Sequence, residues 1–212
     1  MSDSGSGEDL SGLAGELADV IEEIADIDPL DDWSIRTIVA TMVPLLIALS
    51  VLQMVSGAVL ETYEDILLEN PSLLVLVPVQ IGTAGNLGSI MCSRLSTQLH
   101  LGTFELKASN PNVRANSIAI LGLGLTVFVL VGIAAWAIGN ALGGVLTLVE
   151  VLTISLVSGM LLAVFVVVIS LVAVTGSYRL GYNPDDTTIP MVTNICDITG
   201  VLILFAVVFV VL

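Results

Sequence analysis

A single carboxylate interrupts an otherwise uncharged stretch near the end of the chain. The run TIPMVTNICDITGVLILF, residues 188–205, contains Asp197 and no other charged residue. Residues three or four apart share one face of a helix. The face of Asp197 therefore also carries four small or polar residues: Pro190, Thr193, Asn194 and Gly200. An ionised carboxylate facing lipid would cost at least about 3 kcal/mol, so we expect Asp197 to face a protein interior or a wet cavity.

Three roles for Asp197 are compatible with that position. It can be protonated and link two helices by a hydrogen bond, it can pair with a basic residue, or it can meet a cation. Pairing is disfavoured because no Lys or Arg lies inside a predicted membrane span at matching depth. Cation binding is favoured, with the protonated link as the alternative.

A second stretch predicts a matching helix face. Within PVQIGTAGNLGSIMCSRLST, residues 78–97, five small or polar residues share one side of a helix: Gly82, Gly85, Asn86, Ser89 and Ser93. Asn86 offers a neutral amide oxygen at a depth similar to that of Asp197. The glycines permit either close helix packing or a local break that frees backbone carbonyls toward a cavity.

The composition predicts the elements that hold these residues. The chain has 212 residues, of which 56% are hydrophobic and only 12% charged, whereas soluble domains are about a quarter charged. A spanning helix needs about 20 mainly apolar residues. Five segments satisfy this requirement: 36–60, 73–93, 114–139, 150–175 and 189–212. We therefore predict an all-α, multi-pass protein of the cell membrane, embedded in the lipid bilayer.

Charge divides the chain into two predicted regions. Eleven of the twenty acidic residues lie in residues 1–32, which we interpret as an acidic cytoplasmic tail with an amphipathic helix over residues 8–27, followed by a membrane domain over 33–212. The net charge of −15 favours a halophilic organism, whose acidic surfaces keep proteins hydrated, with a specific acidic interaction tail as the alternative. No basic cluster is present to bind nucleic acid, and no arrangement of nucleophile and base predicts an enzyme.

The few basic residues predict the orientation. Placing the N-terminus in the cytoplasm puts all five on that side: Arg36, Arg94, Lys107, Arg114 and Arg179. The positive-inside rule then favours a cytoplasmic N-terminus and an outside C-terminus.

The two polar stretches resemble a known family. GTAGNLGS with CSRLSTQLHLG resembles the second helix of MgtE-type magnesium transporters and their animal solute-carrier relatives. NPDDTTIPMVTNICDITG resembles the entry and first half of that family's fifth helix. The resemblance extends over about residues 36–212.

The resemblance implies a paired five-helix unit around a central pore, formed by a homodimer or by a heterodimer with a sister unit. It implies that Asp197 lines the pore and holds hydrated Mg²⁺, with Gly200 completing a D-x-x-G pattern. The G-N-x-G-S element maps onto Gly85, Asn86, Gly88 and Ser89. Bacterial members carry large cytoplasmic regulatory domains, whereas only about 32 residues precede the first predicted helix here, so gating by such domains does not carry over.

We therefore predict transport of a divalent cation, first of all Mg²⁺, held by paired Asp197 with help from Asn86, Thr193 and Asn194. The alternatives are a Na⁺- or H⁺-coupled exporter and a membrane scaffold subunit that transports nothing. The sequence leaves open the choice among divalent cations.

Overall fold

The computed structural model describes residues 35–103 and 110–212, and the predicted amphipathic helix at 8–27 lies outside these ranges. Within them the chain is helical. The helices are α1 (Ile35–Thr62), α2 (Glu64–Glu69), α3 (Pro71–His100), α4 (Pro111–Ala141), α5 (Leu148–Arg179) and α6 (Pro184–Val211). All except α2 are long and apolar enough to cross a membrane. Within the described ranges, the prediction of five helices long and apolar enough to span a membrane is confirmed.

Local sequence signals set where these helices begin. Proline occupies the first helical position of α3, α4 and α6, where its missing N–H costs no hydrogen bond. The Asn183 side chain accepts a hydrogen bond from the backbone N–H of Asp185 at 3.2 Å. At α5, Thr147 and Glu150 form a reciprocal capping box. The starts of α5 and α6 are thus fixed by polar caps, although the helices themselves are almost wholly apolar.

Helices α3, α4, α5 and α6 pack against one another as a bundle. Its interior consists of two apolar clusters. One contains Ala84, Phe128 and Cys196, and the other contains Leu76, Ile154 and Val201. Of the α1 residues from Met42 onward, only Leu49 and Ser56 are buried. From Met42 onward, α1 therefore leaves most of its side chains exposed, whereas the bundle helices bury theirs in the two clusters.

The glycines of α3 do not break the helix. It continues without interruption from Pro71 to His100, so of the two interpretations offered by the sequence, close packing is the one observed. A Cβ added to Gly88 would lie 2.8 Å from Cγ1 of Val192 on α6. Because glycine carries no side chain, the two backbones can approach at this point.

An even closer approach joins α3 to α4 and yields a stability prediction. A Cβ on Gly139 would lie 2.6 Å from both Cα and N of Ser72. Since backbone atoms cannot move aside as a side chain can, Gly139→Ala should lower the free energy of unfolding by about 1–3 kcal/mol or more. Thermal unfolding in detergent measures this. Gly57→Ala is the control because a Cβ added at Gly57 would meet nothing within 4 Å, and equal losses in both variants would contradict the packing explanation.

Candidate functional site

Asp197 lies at the middle of α6. Since α6 begins at Pro184 rather than at the predicted residue 189, the carboxylate is 13 residues from the first residue of the helix and 14 from the last at Val211. At 1.5 Å per residue, it is about 20 Å from either end, which corresponds to the centre of a bilayer. It also lies between the two apolar clusters, because Cys196 belongs to one and Val201 to the other.

One oxygen of this carboxylate is held by the first helix. Nε2 of Gln53 on α1 donates a hydrogen bond of 2.5 Å to Oδ2 of Asp197. Gln53 is not among the residues predicted from the sequence to form the site. A signal was available, since Gln53 is the only residue with a side-chain amide in the predicted span 36–60, and polar residues inside spans are rare and tend to be functional.

The other oxygen lies beside α3. A Cβ on Gly85 would lie 3.9 Å from Oδ1 of Asp197 and 3.7 Å from Cγ2 of Thr193. Gly85 is buried in this contact. The structure therefore brings the two predicted polar stretches together, because the small residue on α3 allows the polar face of α6 to lie against it.

The two polar residues before Asp197 bond to their own helix. Oγ1 of Thr193 donates to the Pro190 carbonyl at 3.0 Å, and Nδ2 of Asn194 donates to the same carbonyl at 2.8 Å. In both bonds the side chain acts as the hydrogen-bond donor, through the hydroxyl of Thr193 and the amide N–H of Asn194. The hydroxyl oxygen of Thr193 and the amide oxygen of Asn194 keep the capacity to accept hydrogen bonds from a hydrated ion.

The predicted residues of α3 divide between two roles. Gly82, Asn86 and Ser93 are exposed on the surface of the chain, while Gly85 and Gly88 are buried against α6. Ser89 is partly buried and donates a hydrogen bond to the Gly85 carbonyl at 3.0 Å. Among the described hydrogen bonds, none joins Asn86 to Asp197. We call the three exposed members, Gly82, Asn86 and Ser93, the polar strip of α3.

Gly200 lies at a close contact between α6 and the neighbouring helices α3 and α5. It is buried, and a Cβ added to it would lie 3.2 Å from Cδ2 of Leu162 on α5 and 3.4 Å from Cγ1 of Ile81 on α3. Of the two roles that the sequence leaves for the small residues, lining a path or allowing close contact, Gly200 takes the second.

The oxygen atoms around Asp197 suit a cation that retains its hydration shell. Within residues 35–103 and 110–212, no group of three or more His, Cys, Asp or Glu side chains comes together to hold a metal ion. Around Asp197 the chain offers one carboxylate and neutral oxygens from amide and hydroxyl groups. Mg²⁺ sheds its waters reluctantly and is often bound by only one or two carboxylates.

Comparison with protein-family models identifies the family of this chain. The sequence model of the MgtE family, described as a divalent cation transporter, matches residues 77–207. The chain belongs to the MgtE family. The match begins within α3 and ends within α6, so it includes Gly85, Asn86 and Asp197, as the resemblance of the two polar stretches predicted.

Curated relatives of this MgtE family member are transporters by name. The magnesium transporter MgtE of Enterococcus faecalis (strain ATCC 700802 / V583) is 30% identical over 205 residues, which is 93% of this chain and 40% of that protein. Solute carrier family 41 member 3 of Rattus norvegicus is 26% identical over 161 residues, covering 71% of this chain and 34% of that protein. The chain thus spans about a third to two fifths of the length of these relatives.

Proposed function

We propose that this protein moves divalent cations, Mg²⁺ above all, across the cell membrane along a path lined by Asp197. The observation that carries the proposal is the position of this carboxylate, partly buried at the midpoint of α6 and next to Gly85. A charge at that depth is costly unless it meets a cation or water. Membership of a family of divalent cation transporters supports the same role.

The ion would pass Asp197 with its water shell in place. The waters of hydrated Mg²⁺ donate hydrogen bonds, and the carboxylate and the oxygens of Thr193, Asn194 and Asn86 accept them. Such contacts lower the energy of the ion at the bilayer centre without stripping its shell. They are also weak enough individually to let the ion leave, which conduction requires.

A second copy of the chain would complete the path. Gly82, Asn86 and Ser93 are exposed on α3. Contact between this polar strip and lipid hydrocarbon would be unfavourable, since polar groups there lack hydrogen-bond partners. A second protomer facing this strip across a twofold axis would enclose water between the two copies, and twofold dimers are the commonest oligomers. Two Asp197 carboxylates would then face one ion path, and a 2+ ion between them would offset their repulsion.

The direction of transport follows from the membrane potential. With the N-terminus in the cytoplasm, as the positive-inside rule predicts, a potential negative inside favours inward movement of a 2+ ion by about 4.6 kcal/mol per 100 mV. No coupling ion is needed for uptake under this gradient.

Flux measurements in liposomes test the proposed function. Purified protein should carry Mg²⁺ into vesicles in response to a K⁺ diffusion potential, with no Na⁺ or pH gradient present. Flux that disappears when the Na⁺ or H⁺ gradient is removed would instead identify a coupled exporter. No flux above that of empty vesicles, under any gradient, would identify a scaffold and overturn the proposal.

Cysteine cross-linking tests the dimer. In a Cys92→Ala/Cys196→Ala background, Asp197→Cys should form a cross-linked dimer with a short bifunctional thiol reagent, because the two copies would meet across the path. Val168→Cys is the control, since this exposed α5 residue does not lie on the polar strip. Position 200 is unsuitable because Gly200 faces Leu162 and Ile81. Cross-linking at 168 but not at 197 would place the interface elsewhere.

A further inference from the structure

A groove between α3 and α4 carries an arginine that the ion path does not use. The groove has a volume of about 520 Å³. Its lining residues are Ile90, Arg94, Asn116, Ala119, Ile120, Gly122, Leu123 and Thr126. The set contains one positive charge and no acid. Arg94, Asn116 and Thr126 are its polar members, and the other lining residues are apolar or glycine. The Thr126 hydroxyl already donates a hydrogen bond to the Gly122 carbonyl at 2.9 Å.

The arginine is fixed at one end of the groove. Nη1 of Arg94 donates to Oδ1 of Asn116 at 2.9 Å, and Asn116 is itself buried with an exposure of 6%. This bond uses one of the five guanidinium N–H groups. Among the described residues, no carboxylate lies within 4 Å of the guanidinium, so the charge is oriented but not neutralised.

The depth of the arginine corresponds to the edge of the hydrocarbon region. Arg94 is six residues from the end of α3 at His100, or about 9 Å along the axis. A helix of 30 residues is about 45 Å long and exceeds the hydrocarbon thickness by about 15 Å. The guanidinium therefore lies where phospholipid phosphates and glycerol groups lie.

The groove continues from the arginine toward the bilayer centre. Thr126 is ten residues beyond Asn116 on α4, which is about 15 Å deeper in the membrane. Along this length, a Cβ added to Gly122 would meet nothing within 4 Å. The groove thus has a positive charge at the level of the phosphates and an open apolar stretch toward the bilayer centre. These match the phosphate headgroup and the acyl chain of a phospholipid.

We propose that this α3–α4 groove binds an anionic phospholipid of the leaflet that Arg94 faces, with the phosphate on Arg94 and one acyl chain along Gly122 and Leu123. Arginine suits this role because its remaining N–H groups form paired hydrogen bonds with phosphate oxygens, and basic pockets between spanning helices are known lipid headgroup sites. The lipid would hold α3, which carries Gly85 and Asn86, against α4. This inference does not depend on the proposed transport.

Native mass spectrometry of the delipidated protein tests the site. With phosphatidylglycerol and phosphatidylcholine of matched chains, the protein should retain the anionic lipid about fivefold more strongly, as expected for one arginine at a bilayer surface. Arg94→Gln should reduce this preference to none. Gly122→Leu should fill the groove and lower retention of the anionic lipid without touching the charge. Arg114→Gln, which removes a charge from α4 outside the groove, should leave the preference unchanged.

Several results would overturn the lipid site. If Arg94→Gln and Arg114→Gln weaken the preference for the anionic lipid equally, the preference comes from overall charge and not from this groove. If the unaltered protein retains both lipids equally, the charge of Arg94 has no role in lipid binding. Thermal stabilisation by inorganic phosphate as large as that by the lipid would identify a phosphate site. Disulfide formation between copies through Gly122→Cys, in the background lacking both native cysteines, would show that a second chain covers the groove.

Discussion

Asp197→Asn should abolish most Mg²⁺ flux while leaving the protein folded. The substitution keeps the shape of the side chain, and the new amide oxygen can still accept the hydrogen bond from Gln53 that Oδ2 accepts at 2.5 Å. It removes the negative charge at the midpoint of α6. A contact with a charged group contributes about 1.5–3 kcal/mol, and each 1.36 kcal/mol is a factor of ten in rate. With both copies of the proposed dimer altered, we expect a loss of about a hundredfold or more, measured as Mg²⁺ uptake into liposomes.

Glu150→Gln is the matched control for this experiment. It also neutralises a carboxylate on a spanning helix, but glutamine preserves the capping box with Thr147 at the start of α5. Its flux should equal that of the unaltered protein. Equal losses in Asp197→Asn and Glu150→Gln would show that flux responds to overall charge, and undiminished flux in Asp197→Asn would remove Asp197 from the ion path.

Gln53→Leu should produce the second largest effect. The leucine cannot donate to Oδ2 of Asp197, so the carboxylate loses the group that fixes its orientation at the midpoint of α6. A hydrogen bond to a charged group is worth about 1.5–3 kcal/mol, and we expect flux to fall at least about tenfold. Ser50→Ala, an exposed change on the same helix, should have no effect.

A double-mutant cycle separates this role from simple destabilisation. If Gln53 acts only by positioning Asp197, the loss caused by Gln53→Leu should largely vanish in the Asp197→Asn background, whereas independent effects would add. Gln53→Asn is informative as well, since its side chain is one methylene shorter and should restore only part of the flux. An increase in flux in Gln53→Leu would mean that Gln53 competes with the ion for the carboxylate, contrary to the positioning role.

Most of the helical architecture could be predicted from local properties. The lengths of the apolar segments identified the five helices, among residues 35–103 and 110–212, that are long and apolar enough to span, because a bilayer imposes both length and composition on anything that crosses it. The starts of the helices were less predictable. The cap at Asn183 and the proline at position 184 start α6 five residues before the predicted span, which began at residue 189.

The candidate site was predictable in part. Asp197 and Gly85 stand out in the sequence as a charge and a small residue inside apolar runs, and the structure places them 3.9 Å apart, measured from Oδ1 to the Cβ position of the glycine. Gln53 was missed although Ser50, Ser56 and Gly57 lie three or four residues from it and mark one face of α1, because the sequence does not show that this face meets α6. The separation of the glycines into exposed Gly82 and buried Gly88 and Gly200 also required knowledge of which helices are adjacent.

The sequence by itself determined that this is a membrane protein of the MgtE family with five segments long and apolar enough to span and one carboxylate inside the last of them, since these properties depend on composition, spacing and motif. Only the tertiary structure decided that α1 contributes the hydrogen-bond donor to Asp197 and that Arg94 is held by Asn116 beside an open groove. Both contacts join residues far apart in the chain. They depend on how helices pack in three dimensions, and the order of residues along a single helix does not specify that packing.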